Sequence, residues 1–126
     1  MSTTLLEQAA QALGLKALNG KVYGLAGHHH ARTQDDLLCD NDLYWNPLAD
    51  DGDALRLAGA LALPIEFRDP GFGYDKTPEN RRVMCGRYWD SNESRHCMFG
   101  ELVGNNVQAA LRLVITRAAA EIGRTA

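Results

Sequence analysis

The spacing of apolar and polar positions divides the chain into helical and extended segments. Apolar residues recur with a period near 3.6 in three segments, which predicts helices at about residues 4–13, 51–62 and 106–122. Alternation in Ile65–Arg68 and short apolar runs further on predict an antiparallel meander whose later strands lie at about 81–89 and 95–99. Such elements bury their apolar faces only together. The pattern therefore predicts one α+β domain over 1–126, a sandwich of three helices and a small antiparallel sheet of three or four strands.

The predicted helices begin and end at residues with capping chemistry. Thr4 followed by Glu7 has the spacing of a capping box, and Gly14 can end the first helix in the left-handed conformation. Asp50 or Asp51 can cap the second helix, whose predicted buried stripe is Leu55, Ala58, Leu61 and Ala62. Gly123 is placed to stop the third helix.

The remaining segments are shorter. Residues 21–27, 37–39 and 43–45 are predicted as extended pieces, and 69–80 as a long loop rich in turn-forming residues. In the strand at 81–89, Val83 and Cys85 share one face, on which alternation also places Arg87. Trp45 is predicted to fill the space between the second helix and the sheet, since a buried tryptophan supplies a large apolar area.

One motif carries a resemblance to a known family. It consists of an aromatic pair, a proline turn and an acid-capped helix start, in Tyr44-Trp45-Asn46-Pro47-Leu48-Ala49-Asp50-Asp51-Gly52-Asp53-Ala54-Leu55. With the closing stretch Asn105–Leu111 and the order of elements, the chain resembles small bacteriophage and prophage proteins of unknown function, described as phage ABA-sandwich domains. The long 69–80 loop and the histidine run depart from that pattern. The resemblance implies origin and fold, and no activity.

Composition and charge further narrow the class of protein. With 126 residues, 45 % of them apolar, and a net charge of −3, the chain suits one globular domain without a global attraction to nucleic acid. Its N-terminus lacks the basic and apolar regions of a signal peptide, and no apolar run is long enough for a membrane span. Cys39, Cys85 and Cys97 have no CxxC spacing. These features predict a cytoplasmic protein with reduced thiols and no membrane partner.

Two clusters have residue types that bind metals. Neighbours in the run His28-His29-His30 point in opposite directions, so a site would need His28 and His30 with a distant ligand such as Cys39 or an aspartate. The acids are Asp35, Asp36, Asp40, Asp42, Asp50, Asp51 and Asp53, and their spacing is not that of a calcium loop. A solvated histidine loop and helix capping by Asp50, Asp51 and Asp53 account for both clusters. We predict no cofactor and no metal site, while metal binding and a metal-dependent enzyme stay open as alternatives.

Arginine and aromatic residues gather on the predicted meander. The candidate binding surface is Arg81, Arg82, Arg87, Tyr88, Trp89 and Arg95. Residues of these types are common at protein interfaces, and they also bind phosphates and stack on bases. The alternative is that Trp89 packs in the core and the arginines are solvated.

Reactive side chains show no convergent arrangement. His96 and Cys97 are adjacent on a predicted strand and so face opposite sides of the sheet. We therefore predict a phage- or prophage-derived accessory protein that is not an enzyme and binds a host or phage protein. The alternative is a nucleic-acid-binding protein that uses the arginine and aromatic surface. The oligomeric state stays open, since the strand edges of a small sheet can mediate dimer formation.

Overall fold

The computed structural model describes residues 4–69, 80–86 and 99–125, and this part of the chain forms an α+β fold with three helices and two sheets. The predicted fold class is confirmed. The elements in chain order are α1 (Leu5–Ala12), β1 (Lys16–Leu18), β2 (Lys21–Tyr23), β3 (Leu37–Leu38), β4 (Tyr44–Trp45), α2 (Asp51–Leu61), β5 (Ile65–Arg68), β6 (Arg82–Cys85), β7 (Phe99–Leu102) and α3 (Val107–Thr125).

The strands form two separate sheets. The predicted antiparallel meander is the sheet β5-β6-β7, in which Ile65 lies opposite Cys85 and Cys85 opposite Phe99. The other sheet has the order β1-β2-β3-β4, and its β2–β3 pair is parallel. Strands β2, β3 and β4 lie within the predicted extended pieces at 21–27, 37–39 and 43–45. The pattern did not predict β1 or the pairing of these strands into a second sheet, because strands of two or three residues are too short to show an alternation.

The boundaries of the meander differ from the prediction. Strand β6 covers Arg82–Cys85, with both Val83 and Cys85 buried as predicted, and residues 87–89 lie outside the described part. Strand β7 continues to Leu102, beyond the predicted end at Phe99, while 95–98 lie outside the described residues. The predicted long loop is described only at Asp69 and Asn80.

Helix α1 begins as its sequence predicts. The Thr4 hydroxyl accepts the Glu7 backbone N–H, and the Glu7 carboxylate accepts the Thr4 backbone N–H, both at 3.1 Å. The second carboxylate oxygen of Glu7 accepts the backbone N–H of Gly20, which attaches α1 to the β1–β2 turn. Gly14 follows the helix at a φ of +78°, a conformation that glycine adopts without steric cost.

The predicted buried stripe of α2 is confirmed at Ala58 and wrong at Leu55, Leu61 and Ala62. Asp50 caps the helix, but the buried residues are Asp53, Ala54, Leu57 and Ala58, and Leu55 is 65 % exposed. The predicted stripe also included Leu61, which is half-buried, and Ala62, which is exposed and follows the helix. The helix is turned so that Asp53 faces inward, where three hydrogen bonds compensate its burial.

The predicted stop at Gly123 is also wrong. Helix α3 continues to Thr125, and Gly123 lies buried where α3 crosses α1. A Cβ atom at this position would lie 1.8 Å from the carbonyl oxygen of Gln8. Gly123 therefore allows the two helices to approach more closely than any side chain would permit.

Helix α3 lies at the centre of the fold. It packs against α1, α2, β6 and β7, and buried residues of all three helices and both sheets form one apolar cluster. Trp45 is buried in this cluster, as predicted. The largest of its fully buried apolar side chains are Leu57, Ile115, Val22, Val83 and Val114. Among the described residues, no helix has the length and apolar character needed to cross a bilayer.

Candidate functional site

A buried polar cluster joins the histidine loop, the turn after Trp45 and the start of α2. We call His29, Asn46, Asp50, Asp53 and Arg56 the Asp53 cluster. The Asp53 side chain is 0 % exposed. Its Oδ2 accepts from His29 Nε2 and from the Asn46 backbone N–H, both at 2.8 Å, and its Oδ1 accepts from Arg56 Nη2 at 2.7 Å.

Further hydrogen bonds extend the cluster to the loop before β3. Asp50 accepts the Asp53 backbone N–H at 2.9 Å and the Arg32 guanidinium at 2.9 Å. The Asn46 side chain donates to Asp36, which also accepts the backbone N–H of Arg32. Burial raises the pKa of Asp36, but these donors lower it more, so its pKa lies below the usual value. The motif that carried the family resemblance is thus held together by carboxylates.

The contacts of His29 define its protonation state. Its Nδ1 lies 3.0 Å from the His30 carbonyl oxygen and its Nε2 lies 2.8 Å from the Asp53 carboxylate. Both partners are acceptors, so the two contacts favour a proton on each ring nitrogen, which is the imidazolium form of the side chain. Burial of the ring lowers its pKa, but the His30 carbonyl and the Asp53 carboxylate raise it more, so the pKa of His29 lies above the ordinary value of 6.5.

We expect the free energy of unfolding to decrease as the pH rises through the folded-state pKa of His29. The folded state binds this proton more tightly than the unfolded chain, so the stabilisation is fully present below pH 6.5 and is lost on the alkaline side. Urea denaturation at a series of pH values, from slightly acidic to mildly alkaline, measures this loss.

The neighbouring histidine provides the control. His29→Gln should abolish most of the alkaline decrease, whereas His28→Gln, at an exposed position, should leave it unchanged. Equal slopes for the wild type and His29→Gln above neutral pH would contradict this assignment. Asp36 and Asp50 act in the opposite range, because their lowered pKa values give stability that is lost as the pH falls below 3.8.

The histidine run does not form the site that its spacing suggested. His28 and His30 are exposed, as a solvated loop predicts, but His29 is buried. Side-chain atoms of His29, Asp50 and Asp53 lie within 4.8 Å of one another, a spacing that suits a metal. However, Asp53 already accepts from the Arg56 guanidinium and the His29 imidazolium. The arrangement is therefore that of an ion-pair network in which Arg56 and His29 supply the positive charge.

Two of the three cysteines lie in the core. Cys39 and Cys85 are buried free thiols, and Cys97 lies outside the described residues. Burial, together with the charges of Asp53 and Asp40, raises the pKa of Cys39 to about 11. Burial alone raises the pKa of Cys85 to about 11. Both thiols therefore stay protonated at neutral pH and pack as small apolar side chains.

The predicted arginine and aromatic surface is described only in part. Arg87, Tyr88, Trp89 and Arg95 lie outside the described residues. Arg81 Nε lies 3.3 Å from an Asp69 carboxylate oxygen, and both side chains are exposed. Arg82 is exposed on the outer face of the sheet, the face away from α3, directly between Arg68 on β5 and Leu102 on β7. The structure therefore places Arg81 and Arg82 at the surface.

An apolar groove lies between α2 and α3. We define the α2–α3 groove by Ala54, Leu55, Leu111 and Ile115, with Asp51 and Arg112 at its rim, and its cavity volume is about 210 Å³. Ala54 and Ile115 are buried beneath it, and Leu55 is largely exposed at its border. Arg112 Nη1 donates to the Asp51 carboxylate at 2.6 Å, and Arg112 Nε donates to the Leu48 carbonyl at 3.0 Å. These bonds hold the rim in place.

A second cavity, of about 270 Å³, lies at the start of α1 beside Leu5, Leu6, Leu37 and Leu48. Its buried carboxylates already serve the fold, since Glu7 caps α1 and Asp36 holds the Arg32 loop. The lining of the α2–α3 groove is the more apolar of the two, and an exposed leucine forms its border.

The sequence reasoning missed both the Asp53 cluster and the groove. An aspartate in the first turn of a helix is ordinarily explained by the helix dipole, which concealed the buried role of Asp53. Leu55 is apolar and lies at helical spacing with Ala58, so it was assigned to the core. The one available signal was its neighbour Leu57, which completes an alternative stripe with Ala54 and Ala58. Comparison of the chain with family models, curated proteins and solved structures found no match.

Proposed function

We propose that this chain is a non-catalytic protein-binding module of phage or prophage origin that acts in the cytoplasm of a bacterial host. Its partner is a host or phage protein that inserts an apolar side chain into the α2–α3 groove. The carrying observation is Leu55, which is 65 % exposed beside an apolar groove of about 210 Å³.

The shape and chemistry of the groove support this proposal. Its floor, formed by Ala54 and Ile115, belongs to packed helices, so the binding surface is largely preformed. The charges of Asp51 and Arg112 at the rim neutralise each other in an ion pair. The rim therefore favours an apolar partner side chain over a charged one. Concave apolar surfaces with a polar border are typical of sites that accept one anchor side chain.

The state of the reactive groups supports a non-catalytic role. In the described part of the chain, the buried carboxylates of Asp36 and Asp53 accept hydrogen bonds that fix loops, and His29 donates through both ring nitrogens. The thiols of Cys39 and Cys85 are held in their protonated form. These carboxylates, the imidazole and the thiols therefore stabilise the fold.

Replacement of Leu55 tests the groove. We expect Leu55→Gln to weaken binding of the partner about tenfold, because burial of part of a leucine side chain is worth about 1–2 kcal/mol. Stability should change by less than about 0.5 kcal/mol, since the side chain is exposed. The measurement is affinity capture from bacterial and phage-infected lysates with quantitative mass spectrometry, followed by titration of the captured protein.

Leu18→Gln is the matched control, because Leu18 is an exposed leucine, at 40 %, on β1. A protein captured equally by the wild type and Leu18→Gln, but depleted with Leu55→Gln, supports the proposal. If Leu55→Gln leaves the amount of captured protein unchanged, the α2–α3 groove is not the binding site. If that capture also disappears on nuclease treatment and with Arg82→Glu, the second candidate below replaces the first.

The second candidate is a nucleic-acid-binding protein that uses Arg81, Arg82, Arg87, Tyr88, Trp89 and Arg95. The observation in its favour is the cross-strand pair of Arg68 and Arg82 on the outer sheet face. Like charges directly opposite each other destabilise a sheet, and a bound phosphate would relieve that repulsion. The Arg81–Asp69 and Arg68–Glu66 ion pairs reduce the positive charge of the same region, so we place this function second.

A further inference from the structure

Strand β5 forms one edge of its sheet, with β6 as its partner within the described residues. The Gly86 backbone N–H donates to the Pro64 carbonyl at 3.2 Å, which makes Pro64 and Gly86 a hydrogen-bonded pair. Because such pairs alternate along an antiparallel ladder, Glu66 and Arg68 also bond to β6. The backbone groups of Ile65 and Phe67 therefore point away from β6, toward the open edge.

The side chains of β5 are complementary to a second copy of the same strand. When two β5 strands pair antiparallel about a two-fold axis at Phe67, each Phe67 lies opposite its own copy. Glu66 of each chain then lies opposite Arg68 of the other, twice in the interface. The outward backbone groups of Phe67 satisfy one another in the same register. The charge pairs, the contact between the two Phe67 rings and the outward direction of the Phe67 backbone groups are thus all compatible with this one register.

Burial of the side chains agrees with this alignment. Phe67 is 48 % exposed, although it lies on the face of the sheet that α3 covers at Val83. Glu66 and Arg68 are exposed on the opposite face, where they pair with each other at 2.9 Å within one chain. In the dimer, the Glu66–Arg68 pair of one chain would lie beside the same pair of the other chain, and the four charges would form one network.

We propose that the chain forms a two-fold symmetric homodimer through antiparallel pairing of β5 with β5, centred on Phe67. The two three-stranded sheets become one sheet of six strands. Homodimers with a two-fold axis bury the same surface of both subunits, as this register requires. The dimer is independent of the α2–α3 groove, so either proposal can fail without the other.

The opposite edge of the sheet lacks this complementarity. The Val103 backbone N–H donates to the Arg81 carbonyl, so Gly100 and Leu102 are the residues of β7 that point outward. A two-fold axis at Leu102 would place Glu101 opposite Val103, and Glu101 is already paired with Arg117 on α3. The open edge of β7 therefore serves as a control surface.

The first test is the molar mass in solution, measured by light scattering across a concentration series. We expect the wild type to approach twice 13.8 kDa at high concentration. Glu66→Arg and Arg68→Glu should each weaken the dimer about tenfold, because two symmetry-related pairs become repulsive. The double variant Glu66→Arg/Arg68→Glu restores opposite charges in the same register and should recover the dimer.

Glu121→Arg is the matched control, because Glu121 forms an ion pair with Arg124 on α3, away from β5. It should leave the dimer unchanged, and circular dichroism verifies that all variants are folded. A monomer at every concentration overturns the proposal. A dimer that both single charge reversals leave intact, or that the double variant fails to restore, also overturns it.

The second test is cross-linking by cysteine. In a Cys97→Ser background, Phe67→Cys places two thiols across a hydrogen-bonded pair with Cα atoms about 5.5 Å apart, within the range of a disulfide. We expect a dimer band on a non-reducing gel after mild oxidation. Leu102→Cys places the thiol on β7, away from the β5 interface, and should give no cross-linked dimer band on the same gel. Cross-linking through Leu102→Cys and not through Phe67→Cys would assign the dimer to the wrong edge and refute the proposal.

Discussion

Replacement of Asp53 with asparagine is expected to lower the free energy of unfolding by about 3–5 kcal/mol. The carboxylate is fully buried and accepts from the His29 ring, the Asn46 backbone and the Arg56 guanidinium. Asparagine turns one of these acceptor positions into a donor and leaves a buried imidazolium without its counter-charge. Because small domains have a total stability of about 5–15 kcal/mol, this loss is a large fraction. Urea denaturation at slightly acidic pH measures it.

Asp51→Asn is the matched control, because Asp51 lies in the same helical turn but is exposed and paired with Arg112. It should cost less than about 1 kcal/mol, the usual range for an exposed ion pair. The double variant Asp53→Asn/His29→Gln should recover part of the loss, because it also removes the unpaired charge. If Asp53→Asn and Asp51→Asn destabilise the protein equally, the buried network does not have the stabilising role assigned to it.

Replacement of Gly123 with alanine is expected to destabilise the protein by about 3 kcal/mol, at the upper end of the usual cost of overpacking. The added Cβ would lie 1.8 Å from the Gln8 carbonyl oxygen and 2.9 Å from the Ala12 backbone nitrogen. Both are backbone atoms of a helix, so no side-chain rotation relieves the contact. Helices α1 and α3 must move apart, and the packing of their alanine-rich faces is lost. Thermal and urea denaturation measure the effect.

Gly59→Ala is the control, and it is expected to raise the stability that Gly123→Ala lowers. Gly59 lies in α2, and a Cβ atom there would meet nothing within 4 Å. Since alanine favours a helix over glycine by about 0.8–1 kcal/mol, this variant should be more stable than the wild type. A Gly123→Ala protein as stable as Gly59→Ala would show that the helix crossing is not close, contrary to the structure.

The sequence predicts the long periodic segments and the positions of most short strands, but not the pairing of the short strands into a second sheet. The three helices and the alternation of Ile65–Arg68 repeat often enough to define a buried face. The sheet β1-β2-β3-β4 consists of strands of two or three residues, which hold no repeat to detect. Its pairing depends on contacts between residues far apart in the chain, such as Lys21 with Leu38, and local propensity does not encode them.

The candidate sites were less predictable than the fold. His29 differs from His28 and His30 only by its orientation, which the bridge between His29 and Tyr44 sets. That bridge joins distant segments, so nothing near the histidines indicates which of them is buried. In α2, Leu55 and Leu57 are equally apolar, and the orientation of the helix depends on whether Asp53 finds partners inside the protein. The hydrophobic pattern offers two alternative stripes, one with Leu55 and one with Leu57, and the hydrogen bonds of Asp53 agree with the second.

The crossing of α1 and α3 has a consequence for synthesis in the cell. The first helix of the chain finds its main packing surface on the last one, and the residue that permits their approach lies close to the end of α3. A nascent chain on the ribosome therefore holds the apolar side of α1 uncovered until α3 has been synthesised and has left the exit tunnel. Contacts between such distant segments also slow folding, because a long stretch of chain must be closed before they form. The period before α3 packs on α1 is when this domain most needs protection from aggregation.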